Sequence, residues 1–185
     1  MFVRQKLKKF DVHRAIYILR NPLLWALSYY IFFKIAHNVE LNLSEEELDK
    51  IRYKYHPDQV LSDPDYYLTE FFSFVLNYHT DLKLLYSIFD KNDIYINHLD
   101  QVFVDGTLKK WIGLNDQYTN NIPYNNVTSD FMYQLFGNDQ IYEFWKSFLG
   151  NNKVVKSYIK EDCQKVKRDF NIDLLKRYEL NYEIR

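Results

Sequence analysis

Glycine, alanine and cysteine are all scarce in this chain of 185 residues, which has 4 Gly, 4 Pro and one Cys. A lone thiol, Cys163, excludes an internal disulfide and any cysteine-built zinc site. Four glycines spread over the chain leave no Gly-rich phosphate loop and no nucleophile elbow, since both need clustered Gly. Alanine stands only at Ala15, Ala26 and Ala36, while Tyr and Phe number 17 and 14. That bias matches AT-rich codons and says more about the genome than the fold. A charge surplus is also missing: 24 Lys and Arg face 25 Asp and Glu. This excludes a polybasic nucleic-acid binder, whose phosphate contacts need an excess of cations. With 47% hydrophobic residues, a packed core is expected rather than global disorder.

Charge and apolarity are unevenly spread near the start. Arg4, Lys6, Lys8, Lys9, Arg14 and Arg20 meet a single acid, Asp11, within residues 1–20. The stretch has no serine and reads as a retained basic arm rather than a cleaved mitochondrial presequence. Asn21-Pro22 then suits a helix start, with Asn21 capping and Pro22 in the first turn. An uncharged run follows: Leu23, Leu24, Trp25, Ala26, Leu27, Ser28, Tyr29, Tyr30, Ile31, Phe32 and Phe33. Lys34 interrupts it before Ile35 to Val39. A spanning helix needs roughly 20 apolar residues, so this segment (21–39) is an anchor of marginal length. It reaches lipid-spanning length only if Lys34 snorkels or meets a neighbouring subunit. The basic flank would place the N-terminus on the matrix or cytoplasmic side.

Residues 40–185 read as a mainly α, irregular helical domain with one small β-hairpin. Ser44 and Glu47 form a capping box, and Leu48, Ile51 and Tyr55 follow at helical spacing until Pro57. Apolar residues recur at three or four from Tyr66 to Phe89, which predicts a long helix with a break near Thr80. Ile94-Tyr95-Ile96 and Val102-Phe103-Val104 predict the hairpin strands. An Asn-rich loop spans 115–128. Further helices are expected from Thr128 to Phe136, stopped by Gly137, and from Asp139 to Leu149, stopped by Gly150. A helix pair bends around Asn171-Ile172-Asp173.

Lys54-Tyr55-His56-Pro57-Asp58 is the one local signature. It resembles the His-Pro-Asp turn of J-domains, the DnaJ-like co-chaperones. Ser44 to Leu48 is similar to the acidic start of that family's second helix. Lys50, Arg52 and Lys54 supply basic residues before the turn, and Phe72, Val75, His79 and Leu82 match positions on the third helix. The resemblance covers residues 30–90 at most, and the segment from Ser44 to His56 is about one helical turn short. It implies contact with an Hsp70 through His56, Pro57 and Asp58.

Other sites fail on grammar. Asp90 to Asp93 opens like a calcium loop, but Ile94, Tyr95 and Gln101 stand where an oxygen ligand, Gly and Glu belong. The five histidines never take metal-ligand spacing. Cys163 sits near Lys160, Lys165 and Lys167, which could lower its pKa, though an inert thiol is expected. The sequence thus predicts a non-enzymatic accessory subunit without cofactors, with other protein subunits and lipid as partners. A large complex of the mitochondrial inner membrane is the expected setting. The alternatives are a J-domain-like co-chaperone and a viral helical connector.

Overall fold

The structure, a computed structural model, describes residues 13–36, 43–73, 77–102, 107–113 and 127–180. In chain order its elements are β1 (Ala15–Leu19), α1 (Pro22–Ile31), a π-helical turn (Phe32–Ala36), α2 (Glu45–Lys54), α3 (Pro57–Ser62), α4 (Pro64–Phe72) and α5 (Tyr78–Ile88). A 3-10 turn (Lys91–Asp93), β2 (Ile94–His98), α6 (Leu99–Val102), α7 (Thr107–Ile112), α8 (Val127–Phe136), α9 (Gln140–Asn151), α10 (Lys153–Phe170) and α11 (Leu174–Arg177) follow. The fold is mainly helical, with one small sheet. It divides into two compact units, Met1–Arg20 with Asn77–Pro123, and Asn21–Leu76 with Tyr124–Arg185.

The first unit is built on the sheet. β1 and β2 pair in parallel, from Ala15 opposite Ile94 to Leu19 opposite His98. The expected hairpin is therefore corrected. Ile94-Tyr95-Ile96 is a strand, but its partner is β1, and Leu99–Val102 turns into a helix instead of returning. Alternation marks a strand and its two faces without naming the partner, and a parallel partner is necessarily remote in sequence. Tyr78 ties α5 to the end of β1: its hydroxyl accepts from the Arg20 N–H at 3.1 Å and donates to the Arg20 carbonyl at 3.2 Å. The break expected near Thr80 in the segment from Tyr66 to Phe89 falls earlier, between the end of α4 at Phe72 and the start of α5 at Tyr78. α5 restarts at Asn77, whose side chain accepts from the Thr80 N–H.

The second unit follows its caps closely. Asn21 accepts the N–H groups of Leu23 and Leu24, with Pro22 at the first position of α1. Ser44 and Glu47 complete the capping box of α2. Gly137 stops α8 at φ 68° and Asn171 ends α10 at φ 59°, the left-handed conformation in which those two types are the usual C-caps. Gly150 does not stop α9, which runs on to Asn151. A Cβ at Gly150 would lie 3.1 Å from the Leu23 Cδ2 atom, so its bareness serves the close approach of α9 and α1. Similarly, α8 begins at Val127 rather than Thr128, and most of the expected Asn-rich loop lies outside the described residues.

The apolar anchor expected over 21–39 is corrected as well. α1 is 10 residues long and passes into a π-helical turn of five. Among the described residues, no helix is long and apolar enough to cross a membrane. Instead Ala26, Leu27, Tyr30, Ile31 and Ile35 are buried in the second unit. There Trp145 of α9, fully buried, gathers Tyr30, Tyr55, Tyr67 and Phe148 at ring-centroid distances of 5.5 to 6.3 Å. Its indole N–H donates to the Tyr55 carbonyl at 3.3 Å. Tilted and edge-on aromatic pairs of this kind add to the burial itself.

Two substitutions separate cap from core. Ser44→Ala is expected to cost about 1 kcal/mol through the lost cap, and Trp145→Ala about 3–5 kcal/mol through loss of the aromatic centre. Thermal melts of the two variants, followed by far-UV circular dichroism, check that order.

Candidate functional site

The polar centre of the second unit is the carboxylate of Glu70, on α4. Its helix starts with Asp63, whose side chain accepts the Tyr66 N–H, and Pro64 at the first position. The α4 spacing sets Tyr67, Glu70 and Phe71 on one inward face. Tyr67 and Phe71 are buried, and the Glu70 side chain is only 10% exposed.

Four side chains converge on it. The Tyr30 hydroxyl of α1 donates to Oε2 at 2.7 Å. Lys54 of α2 donates to Oε1 at 3.2 Å, and the Lys34 ammonium, in the π-helical turn, lies 3.3 Å from the same oxygen. Tyr66, one turn earlier on α4, donates to Oε1 at 3.3 Å. Lys54 also stands over the rings of Tyr55 and Tyr66, 5.0 and 5.5 Å from their centroids, a favourable cation–π placement. The Tyr67 hydroxyl donates to the Lys54 carbonyl.

These contacts set the ionisation of the cluster. Burial pushes the Glu70 carboxyl up, but the Tyr30 hydrogen bond and the charges of Lys54 and Lys34 override it and hold it below the usual carboxylate range. Tyr30 is raised far above an ordinary phenol, first by burial and then by the carboxylate it serves. Burial lowers Lys54, yet hydrogen bonding to Tyr66 and the Glu70 charge leave it raised. Glu70 is thus a saturated acceptor whose lone pairs hold helices together.

The residues of the J-like signature lie apart from this chemistry, except Lys54 and the Tyr55 ring beneath it. His56 is the N-cap of α3, its Nδ1 accepting the Asp58 N–H at 3.4 Å, and Pro57 is the first residue of that helix. The turn is therefore a helix start as well as a helix stop. The His56 and Asp58 side chains are 48% and 83% exposed. Arg52 is spent within the unit: its Nε donates to the Leu135 carbonyl at 2.7 Å, and its Nη1 meets Asp49 and Glu45 at 2.8 and 3.1 Å. Lys54 is spent on Glu70.

The anchor residues Pro22, Leu23, Leu24, Trp25, Leu27, Tyr29, Tyr30, Ile31, Phe32 and Phe33 form a two-faced segment. Leu27, Tyr30 and Ile31 point inward. Trp25, Tyr29 and Phe33 step along the other face, with ring centroids 6.4 and 4.2 Å apart, and Phe32 meets Phe33 at 5.2 Å. Phe32 and Phe33 are 51% and 39% exposed.

A second feature is a cleft of about 620 Å³ between α10 and α11, lined in part by Cys163, Leu175 and Leu180. The lysines near Cys163 in sequence do not activate it. Burial, then the charges of Asp162 and Asp173, push its thiol up to about 12. Among the described residues no group of three or more His, Cys, Asp or Glu is placed to hold a metal ion.

Comparison of the chain with protein-family models, with curated proteins and with solved structures finds no match. Glu70 escapes a reading of the sequence for catalytic motifs. Two signals point to it in retrospect: Lys34, alone in an apolar run, needs a counter-charge, and Glu70 lies on the apolar face of its helix.

Glu70→Gln is expected to cost about 2 kcal/mol at neutral pH, because it leaves two ammonium groups without their anion while both retain access to water. A carboxyl held low in the folded state stabilises at pH above its unfolded value and loses that contribution as pH falls through the folded value. The gap in melting temperature between wild type and Glu70→Gln should thus begin to narrow below about pH 4.3 and close once pH has passed the lower folded value. A gap that persists in acid would show that the charge is not its cause. Cys163 should react with a disulfide reagent at pH 8 only on unfolding, with a rate that tracks denaturant; fast reaction of the native chain would contradict its burial.

Proposed function

We propose that the chain is a non-enzymatic accessory subunit that docks into a larger protein assembly. The observation that carries this reading is the outer face of α1 and the π-helical turn, where Phe32 and Phe33 stand half-exposed beside Tyr29. Aromatic side chains supply much of the energy of protein interfaces because they bring large area at low entropic cost. The inner face of the same segment is bonded to the core through Tyr30 and Lys34, so the outer face is presented on a rigid support. The setting we propose is a respiratory-type complex of the mitochondrial inner membrane, with the N-terminus toward the matrix. The six basic residues among the first 20, which suit an anionic membrane surface, and the half-exposed aromatic face that follows support it. Because the inner face of that segment is buried in protein, its neighbours in the assembly would be other subunits, with lipid at most along the exposed face.

A second reading, a co-chaperone acting on an Hsp70, draws on the exposure of His56 and Asp58 at the start of α3. It requires ATPase stimulation that disappears in His56→Gln.

Native electrophoresis of membranes from the source cell, with this chain detected, tests the first reading. Co-migration with a high-mass complex is expected, and Phe32→Ser with Phe33→Ser should release the chain while leaving its melting temperature within a few degrees, as substitutions at exposed positions do. Migration as a free monomer would overturn the reading, and a soluble ring-sized oligomer would favour a viral connector.

A further inference from the structure

Two sets of contacts fasten the start of the chain to segments far along it. In the first unit β1 runs in register with β2, Ala15 opposite Ile94 and Leu19 opposite His98. The Arg14 Nη1 donates to the Trp111 carbonyl of α7 at 3.1 Å, and the guanidinium lies 5.2 Å from the Trp111 ring centroid. The Tyr17 hydroxyl donates to the Asp81 carboxylate of α5 at 3.2 Å. In the second unit Tyr30 donates to Glu70 of α4, and its ring lies 5.5 Å from that of Trp145 on α9. The Thr128 hydroxyl of α8 donates to Ser28 at 3.1 Å. α10 joins the same unit through the rings of Tyr158 and Phe72, 5.6 Å apart.

These contacts decide on which side of a membrane the rest of the chain can lie. The hydrocarbon core of a bilayer is about 30 Å thick, so no bonded pair named above can have one partner on each face. A crossing at residues 22–36 would leave β1 on one face and carry β2, Trp111 and Asp81 to the other. It would also take Ser28 and Tyr30 away from Thr128 and Glu70, into a medium that offers their hydroxyls no other partner. A crossing between α4 and α5 fails as well. α4 is bonded to α1 and α5 to β1, and these segments meet at the consecutive residues Arg20 and Asn21. The same holds between α7 and α8, because α7 is bonded to Arg14 and α8 to Ser28.

We infer that every described residue lies on the side of the membrane that holds Arg14 and Arg20 of the basic arm, and that the chain is a peripheral subunit on the matrix face of its assembly. The inference rests on the subunit reading for the membrane and for the side. One-sidedness follows from the contacts alone. Hydropathy points the other way, since a spanning helix after six basic residues would set residues 40–185 opposite the N-terminus. The partners are then matrix-exposed surfaces of the complex, and not the helices inside its bilayer core.

The test uses the native chain in its own membranes, detected with antibodies to residues 1–20 and to residues 153–170 of α10. Proteinase K added to mitoplasts, whose outer membrane is ruptured, is expected to leave the chain at full length. Added to inverted inner-membrane vesicles, it should abolish the α10 signal. Alkaline carbonate should release the chain from those vesicles, and retention in the pellet would overturn the inference. Loss of the α10 signal in mitoplasts would overturn it too: with a protected N-terminal fragment it marks a crossing, and without one it marks the opposite face. Native electrophoresis reports separately on the subunit reading. A chain that co-migrates with a high-mass complex but is cut in mitoplasts refutes the topology and leaves that reading standing. A chain that is protected in mitoplasts but migrates alone does the reverse.

Discussion

One carboxylate organises the second unit. Glu70 brings α4 into contact with α1 through Tyr30, with the π-helical turn through Lys34 and with α2 through Lys54. Such a group is costly to bury and becomes tolerable only when its partners are complete. Completeness fixes positions: both ammonium groups must reach one oxygen while a phenol reaches the other. The aromatic centre around Trp145 then fills the space that this polar frame encloses.

The same arrangement explains the two faces of the apolar segment. A helix that is apolar all round is normally buried or lipid-facing. Here the inner residues Leu27, Tyr30 and Ile31 are buried in protein, and the π-helical turn carries Lys34 to its anion while Phe32 and Phe33 remain half-exposed. Insertion of a π turn changes the angular step of the helix and is a frequent mark of functional segments. What hydropathy presents as one anchor is, in three dimensions, a core element with an aromatic outer surface.

The charged helices show the reverse case. α2 uses its basic residues internally, since Arg52 and Lys54 are bonded to the rest of the unit. On α10 the lysines at 153 and 156 are left to solvent or a partner. Basic residues on two charged helices thus differ in availability, a property that the residue type does not carry.

Local chemistry in the sequence determined a good part of the secondary structure. Asn21-Pro22, the Ser44 and Glu47 pair, Gly137 and Asn171 mark helix ends because capping depends on neighbours within four residues. The helical character of residues 43–72 and 127–177 follows from periodicity for the same reason. Tertiary structure alone decided the rest. Ile94 to Ile96 reads as a strand, but pairing with Ala15–Leu19, about 80 residues earlier, depends on contacts that no local pattern encodes. Lys34 advertised the need for an anion, while the identity of Glu70 as that anion required α4 to pack against α1. The apolar run could not reveal whether lipid or protein would cover it, because burial in either satisfies the same hydrophobic side chains.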